Sequence, residues 1–167
     1  VEGGLDAILV ALPIEHPEIE TIPLADDDFL LAIPADGGVD GQVLATAELM
    51  ARSRVLLLEE GHCFRDQALE VCRTRGQGDV ESFAATSLGT IVRMVASGMG
   101  VTLLPRVATD AGLTKGHDLH LSHLAGARPR RVVLAWRQST ANAPIFGQIA
   151  DLLRNVRRSL SPAASPE

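Results

Sequence analysis

Short apolar runs that end at a proline constrain the fold of this chain more than any other feature of its sequence. Three such runs stop directly before Pro13, Pro34 and Pro105. Runs of this length, bounded by residues that break regular structure, are typical of buried strands. The stretches between them carry apolar residues at spacings of three and four, which indicates helices. Strands that alternate with helices predict an α/β fold with mostly parallel sheets.

The first run, residues 5–12, is continuously apolar after Asp6 and therefore predicts a strand buried on both faces of a sheet. Nothing that precedes it in the sequence could cover such a strand, so we expect the chain to begin after the first strand and helix of its domain. The later elements that the pattern predicts are strands at 29–33, 54–58, 82–85, 101–104, 119–121 and 131–136, helices at 46–52, 64–75, 88–98, 107–111 and 144–160, and a disordered tail at 161–167.

The charge of the chain argues against nucleic-acid binding by this sequence alone. Its formal net charge is −6, whereas phosphate neutralisation needs clustered lysine and arginine on an accessible face. No apolar run approaches the roughly 20 residues that a membrane-spanning helix needs, and no signal peptide is recognisable. We therefore expect a cytoplasmic protein with no membrane partner.

The chain has two cysteines, Cys63 and Cys72. In a reducing cytosol two cysteines do not keep a structural disulfide, so any bond between them is expected to be conditional. Cys63 lies at the predicted amino terminus of a helix and close to His62 and Arg65, and both features stabilise the thiolate that attacks a peroxide. Cys72 shares the apolar face of that helix with Leu69. Simple burial without chemistry is the alternative for each cysteine.

A bond between the two cysteines would make a geometric demand on the helix. Nine positions along an unbroken α-helix advance about 13 Å and turn about 900°, which places the two side chains on opposite faces. A disulfide tolerates Cα atoms at most about 7 Å apart. If the two thiols pair, the helix between them must unravel, and oxidation then becomes a conformational switch.

The segment around the first cysteine resembles the redox segment of OxyR-type hydrogen peroxide sensors, which belong to the LysR family of transcriptional regulators. The likeness lies in Gly-His-Cys at residues 61–63, Arg-Asp-Gln-Ala at 65–68 and a second cysteine nine positions after the first. Residues 85–88 and 94–105 resemble the strand, helix and strand that LysR-type effector domains place beside their ligand cleft. Residues 129–137 resemble the OxyR return strand, and the likeness covers nearly the whole chain.

The resemblance implies roles for individual residues. Cys63 becomes the peroxide-reacting thiol, and Cys72 becomes its partner in a reversible disulfide. The residues expected to tune or position the Cys63 thiolate are His62, Arg65 and Arg131. The residues expected to face an effector cleft are Thr86, Ser87 and Gly98. Several of them have a purely structural alternative, because a turn histidine, an exposed arginine or a helix N-cap serves the fold alone.

The implied fold is the periplasmic-binding-protein-like LysR effector-binding fold, in which two Rossmann-like α/β subdomains are joined by two crossover strands. Its first βα unit would be missing from this sequence. Subdomain I would comprise residues 1–25 and 132–160. Subdomain II, which carries both cysteines, would comprise residues 26–131, and residues 161–167 would form the tail.

The resemblance also implies partners. They are hydrogen peroxide as the signal, a disulfide reductant of the glutaredoxin or thioredoxin type, further copies of the chain in a homodimer or homotetramer, and promoter DNA through a winged helix-turn-helix domain absent from this sequence. No enzyme activity and no cofactor are expected. The histidine triplet at residues 117, 120 and 123 is by spacing alone a weak sign of a metal site, and no metal site is predicted.

Two other classes of function remain open from the residues. A LysR-type domain, or a lobe of a solute-binding protein, could bind a small-molecule metabolite while both cysteines are incidental. A thiol peroxidase would turn over peroxide with a dithiol reductant, but the chain has no Cys-x-x-Cys, and the nine-residue spacing demands refolding in every cycle. Counting free thiols after peroxide treatment separates metabolite binding from redox sensing.

Overall fold

The computed structural model describes residues 4–14, 16–37, 50, 53–74, 83–124 and 126–160. The chain divides into two compact units, of which the first comprises Val1–Asp27 and Arg130–Glu167 and the second comprises Asp28–Pro129. The chain therefore crosses between the units twice. The predicted tail at 161–167 lies outside the described residues, as does the predicted helix at 46–52 apart from Met50.

In chain order the strands are β1 (Ala7–Ala11), β2 (Ile19–Asp27), β3 (Phe29–Pro34), β4 (Leu56–Leu58), β5 (Phe83–Ala85), β6 (Thr102–Pro105), β7 (Leu119–His123) and β8 (Arg130–Arg137). The α-helices are α1 (Cys63–Thr74), α2 (Leu88–Ala96), α3 (Arg106–Asp110) and α4 (Ala143–Leu160), and a short 3-10 helix spans Ala35–Gly37. Among the described residues, no helix combines the length and apolar character needed to cross a membrane.

The first unit is a three-stranded sheet with helix α4 packed on it. The strand order is β1-β8-β2, and β8 is antiparallel to both neighbours. Leu134 and Trp136 of β8 pack against Phe146 and Ala150 of α4, and the rings of Trp136 and Phe146 lie 5.3 Å apart. The apolar face of α4 explains this packing, because residues four apart lie on one side of a helix.

The second unit contains an antiparallel sheet with the order β6-β3-β7 and a parallel pair, β4 and β5. A parallel bridge between Val55 and Val101 connects the starts of β4 and β6. The buried hydroxyl of Thr102 donates a hydrogen bond to the Leu56 carbonyl at 2.7 Å. All three residues of β4 are buried, so the strand that leads to Cys63 is fixed inside the core.

The strand directions differ from the expectation of mostly parallel sheets, which is wrong for the described strands. Both neighbours of β8 and both neighbours of β3 are antiparallel to it. For the pair of β2 and β8, the double crossing of the chain is the physical reason. Strand β2 leaves the first unit and β8 returns to it alongside β2, so the two run in opposite directions. The α/β class with mixed sheets is confirmed.

The expectation that β1 is buried on both faces is also wrong. Ile8 is 43% exposed and Leu9 is 58% exposed. Among the described residues β1 has one neighbouring strand, β8, because it lies at the edge of its sheet. A run of apolar residues indicates a strand, but it does not say which position the strand takes in the sheet.

Candidate functional site

Cys63 is presented by a tight turn between β4 and α1. Gly61 in this turn has a φ of 93°, a conformation that favours glycine, and no atom lies within 4 Å of the position that a Cβ would take. Backbone conformation therefore requires glycine here, not lack of space. The backbone N–H of Arg65 donates to the His62 carbonyl at 2.9 Å. Cys63 is the first residue of α1, and it is exposed.

Arg65 connects the first turn of α1 to the end of β4. Its guanidinium Nη1 donates a hydrogen bond of 2.7 Å to the carbonyl oxygen of Leu58. A charge-assisted bond of this kind is stronger than a neutral one, and it holds the helix terminus against the strand. The guanidinium thus has a positioning role that the sequence did not reveal. The expected effects of Arg65 and of the exposed His62 on the Cys63 thiolate stay predictions.

Cys72 lies in the opposite environment. It is fully buried, and it shares the inner face of α1 with Phe64, Ala68 and Val71. Burial raises the pKa of the Cys72 thiol from 9.0 to about 11, because the apolar surroundings disfavour the charged thiolate. The apolar environment expected for Cys72 is confirmed.

The two thiols are free and sit on one unbroken helix. The helix predicted for this segment is confirmed. A separation of nine residues corresponds to about 13 Å along the axis and to opposite faces. The exposure of Cys63 and the burial of Cys72 agree with that geometry. The folded arrangement therefore keeps the two sulfur atoms too far apart to bond.

Phe64 anchors the start of α1 in the core directly beside Cys63. Its ring stacks on that of Phe29, with centroids 5.7 Å apart and planes inclined by 30°. The two residues are 35 positions apart in the sequence, and no local pattern links them. Sequence reasoning therefore had no signal for this contact, which ties the cysteine-bearing helix to β3.

Arg131 lies in the first unit, on β8, whereas Cys63 lies in the second. The Arg131 side chain pairs with Asp26, its cross-strand neighbour on β2, at 3.0 Å between Nε and Oδ1. Both side chains are about half exposed, which makes this a surface ion pair. The expected role of Arg131 beside the Cys63 thiolate stays a prediction.

The three residues expected in an effector cleft divide between the two ends of α2. Ser87 is the N-cap, since its hydroxyl oxygen accepts a hydrogen bond from the Thr90 N–H at 3.2 Å, and the expected capping role is confirmed. Thr86 precedes it and is exposed. Gly98 follows the other end, with a φ of 75°. A helix of nine residues separates them by roughly 13 Å, so the structure does not bring Gly98 together with Thr86 and Ser87.

The histidine triplet does not form a cluster. His120 and His123 lie three positions apart on β7, and side chains at odd spacing point to opposite faces of a strand. His117 precedes the strand. In the part of the chain that the structure describes, no group of three or more histidine, cysteine, aspartate or glutamate side chains could hold a metal ion.

A family model described as LysR substrate binding domain matches residues 1–158. A relative from Streptomyces viridosporus, named a probable hydrogen peroxide-inducible genes activator, is 39% identical over 160 residues. That match covers 95% of this chain and 51% of the relative. The chain thus spans about half the length of the curated relatives it matches.

Two solved structures are similar to most of this chain. The reduced form of the regulatory domain of OxyR2 from Vibrio vulnificus is 30% identical, with a TM-score of 0.81, and the match covers 92% of this chain and 73% of that one. The reduced form of the OxyR regulatory domain from Pseudomonas aeruginosa is 36% identical, with a TM-score of 0.76, and the match covers 99% and 75%. The LysR effector-binding fold expected from the resemblance is confirmed.

Proposed function

Because the chain belongs to the LysR substrate-binding domain family and, within it, to the OxyR regulatory domains, we propose that it is the peroxide-sensing part of a DNA-binding transcriptional regulator. One observation carries the proposal. Two free thiols stand on a single helix, one exposed at its amino terminus and one buried near its end. This arrangement supplies a nucleophile, a resolving thiol and a structural barrier between them.

The first step is attack by the thiolate of Cys63 on one oxygen of hydrogen peroxide. The S–O bond forms while the O–O bond breaks, and the departing hydroxide takes up a proton to become water. The sulfur is oxidised by two electrons to a sulfenic acid, and the peroxide is reduced. Because Cys63 is exposed, its sulfur meets the oxidant without rearrangement of the fold.

The second step is attack by Cys72 on the oxidised sulfur. While Cys72 is buried, a pKa of about 11 leaves roughly one molecule in 10,000 as thiolate at pH 7. Unravelling of α1 transfers this sulfur into water, where its pKa returns towards the ordinary value. The S–S bond then forms, and the hydroxyl group of the sulfenic acid leaves as water. Burial therefore keeps the resolving thiol unreactive until the helix opens.

When the disulfide forms, the molecule gains a covalent bond and loses the packing of α1 against the core. Opening the helix removes Phe64, Ala68 and Val71 from the core, and burial of such side chains contributes about 1–3 kcal/mol each. A dithiol reductant of the glutaredoxin or thioredoxin type restores both thiols and is itself oxidised to a disulfide. The helix can then reform, which makes the switch reversible.

The remaining parts of the proposal concern partners and location. We expect the domain to work in the cytoplasm, where thiols are kept reduced between signals. A homodimer or homotetramer would transmit the change in α1 to a winged helix-turn-helix that binds promoter DNA. The acidic charge of this sequence supports a separate DNA-binding part. The domain acts as a sensor in this scheme and not as an enzyme.

Treatment with hydrogen peroxide tests the mechanism directly. One equivalent added to the reduced chain should consume both thiols, and non-reducing peptide mapping should find Cys63 linked to Cys72. The circular dichroism signal at 222 nm should fall by an amount that corresponds to the 12 residues of α1. A thiol count that does not change, or a link formed without loss of helix, would refute the proposal.

Two variants separate the roles of the thiols. Cys72→Ser should stop the reaction at the sulfenic acid, which dimedone would label at Cys63. Cys63→Ser should leave Cys72 as an unreacted thiol after the same treatment. Rapid oxidation of Cys72 in the absence of Cys63 would show that the assignment of the two roles is wrong.

A further inference from the structure

A cavity of about 310 Å³ opens in the second unit, where β4 and β6 begin. Arg54 immediately precedes the Val55 bridge at this end of β4, whereas Cys63 follows the other end. The strand therefore separates the cavity from the reactive thiol. Gly98, which the sequence assigned to an effector cleft, contributes to the wall of this cavity.

Apolar side chains form one side of the cavity. Ile33 and Val101 belong to the buried core and present part of their surface to it, and Pro34 lies beside them. Met99 is 45% exposed although it is apolar. An apolar lining of this kind accepts a hydrocarbon group, and the volume is at the small end of the range for ligand pockets.

Polar residues also line this cavity. Arg54 is exposed, and within the described ranges no carboxylate pairs with its guanidinium. Ser53, which carries a hydroxyl group, also lines the wall. Gly100 supplies a backbone N–H for which the described chain shows no acceptor. A cation, a hydroxyl and a backbone N–H together form the donor set that a carboxylate requires.

Glycine is needed at position 100 for the wall to take this shape. A Cβ there would collide with the carbonyl oxygen of Arg54, whose own partner is the Val101 N–H at 2.9 Å. The close approach of the two backbone segments keeps the Gly100 N–H next to Arg54. Of the three donors, the Gly100 N–H is therefore held in place by the main chain.

From these contacts we propose that the cavity binds a small organic carboxylate with a short apolar body. The carboxylate accepts hydrogen bonds from Arg54, Ser53 and the Gly100 N–H, and the apolar body lies on Ile33, Pro34 and Met99. Binding requires neither cysteine, so the site adds a second chemical input to the proposed peroxide sensor. If the cavity does not bind a carboxylate, the proposed peroxide chemistry is unaffected.

Titration of the whole 167-residue chain with benzoate, followed by the amide NMR signals of Gly98 and Gly100, tests the site. These signals should move saturably, with a Kd on the order of 1 mM, as expected for so small a ligand. Benzamide has nearly the same shape without the charge, and it should bind at least tenfold more weakly. Shifts that do not saturate, shifts confined to other residues, or equal binding of benzamide would overturn the proposal.

Matched arginine variants check the role of the charge. Arg54→Met should weaken benzoate binding at least tenfold. Arg93→Met removes an arginine of α2 that is also exposed and lies outside the cavity, and it should leave the Kd unchanged. If Arg54→Met loses its dispersed amide spectrum, Arg54→Gln serves in its place. Binding that survives the loss of Arg54, or that falls equally in both variants, would overturn the assignment.

Discussion

Cys63 and Cys72 carry the same side chain, and only their surroundings make them chemically different. The sulfur of Cys63 is open to solvent at a helix amino terminus, whereas that of Cys72 is enclosed by apolar atoms. Desolvation is the cause of the raised pKa of the Cys72 thiol. The environment therefore decides which thiol meets an oxidant first and which one waits for the fold to open.

The buried thiol predicts a pH dependence of stability. The folded chain keeps the Cys72 proton up to a pKa of about 11, whereas the ordinary pKa of an exposed cysteine thiol is 9.0. Between these values the unfolded state binds fewer protons, so the free energy of unfolding should fall by about 2–3 kcal/mol as the pH rises. Below pH 9 both states hold the proton, and the full stability is present.

Urea unfolding of the reduced chain at pH 8, 9, 10 and 11 measures this loss. The Cys72→Ala variant is the reference, because every other titrating group, Cys63 included, is common to both proteins. As the pH rises, the unfolding free energy of the parent chain should fall by more than that of the variant. Parallel pH profiles would mean that Cys72 titrates in the folded chain as it does in water.

Helix α1 is the element on which the proposed switch depends. Its inner face is held by core side chains, and its first turn is held by the bond from Arg65 to the Leu58 carbonyl. Its outer face, which includes Glu70, is exposed. A change on the outer face can therefore weaken the helix without disturbing the core.

The exposed position 70 gives a test of helix unravelling. Glycine is less favourable than alanine in a helix by about 1 kcal/mol. If oxidation requires an open helix, Glu70→Gly should favour the disulfide about fivefold over Glu70→Ala in the same redox buffer. Mass spectrometry after acid quenching measures the two populations. Identical disulfide fractions in the two variants would show that α1 stays folded on oxidation.

At the scale of the whole molecule, the chain passes between the units twice, and within the first unit an ion pair joins the end of β2 to the start of β8. Asp27 ends β2 and is fully buried, and its Oδ2 lies 2.7 Å from Nε of Arg130, which begins β8 and is 14% exposed. The next pair along the two strands, Asp26 with Arg131, is about half exposed on both sides. The chain thus contains two neighbouring aspartate–arginine pairs, one largely buried and one exposed.

The two pairs predict unequal effects of one substitution. Asp27→Asn removes the fully buried carboxylate charge that pairs with Arg130, and we expect a loss of about 3 kcal/mol in the free energy of unfolding. Asp26→Asn removes a solvated charge, and we expect a loss below about 1 kcal/mol. Urea unfolding at neutral pH compares them. Similar losses would mean that burial at Asp27 adds nothing to the strength of the pair.

The sequence by itself determined the local features of this protein. The apolar period and the flanking glycines specify a helix that starts at the first cysteine and carries the second on its inner face, because such patterns act over a few residues. The two thiols could for that reason be placed on opposite faces without a structure. Thr86 and Ser87 could both be named as candidate caps on the same grounds, and the structure decides for Ser87.

Only the tertiary structure decided which segments meet. Four features depend on contacts between parts of the chain that the local sequence pattern does not link. They are the antiparallel direction of β8, the exposed edge at β1, the hydrogen bond from Arg65 to Leu58 and the cavity beside Arg54. A residue's own neighbours fix its backbone conformation and the face it presents. The topology of the fold decides which distant residues become its partners. A side chain or backbone group packs against, and bonds to, the segments that the topology places beside it.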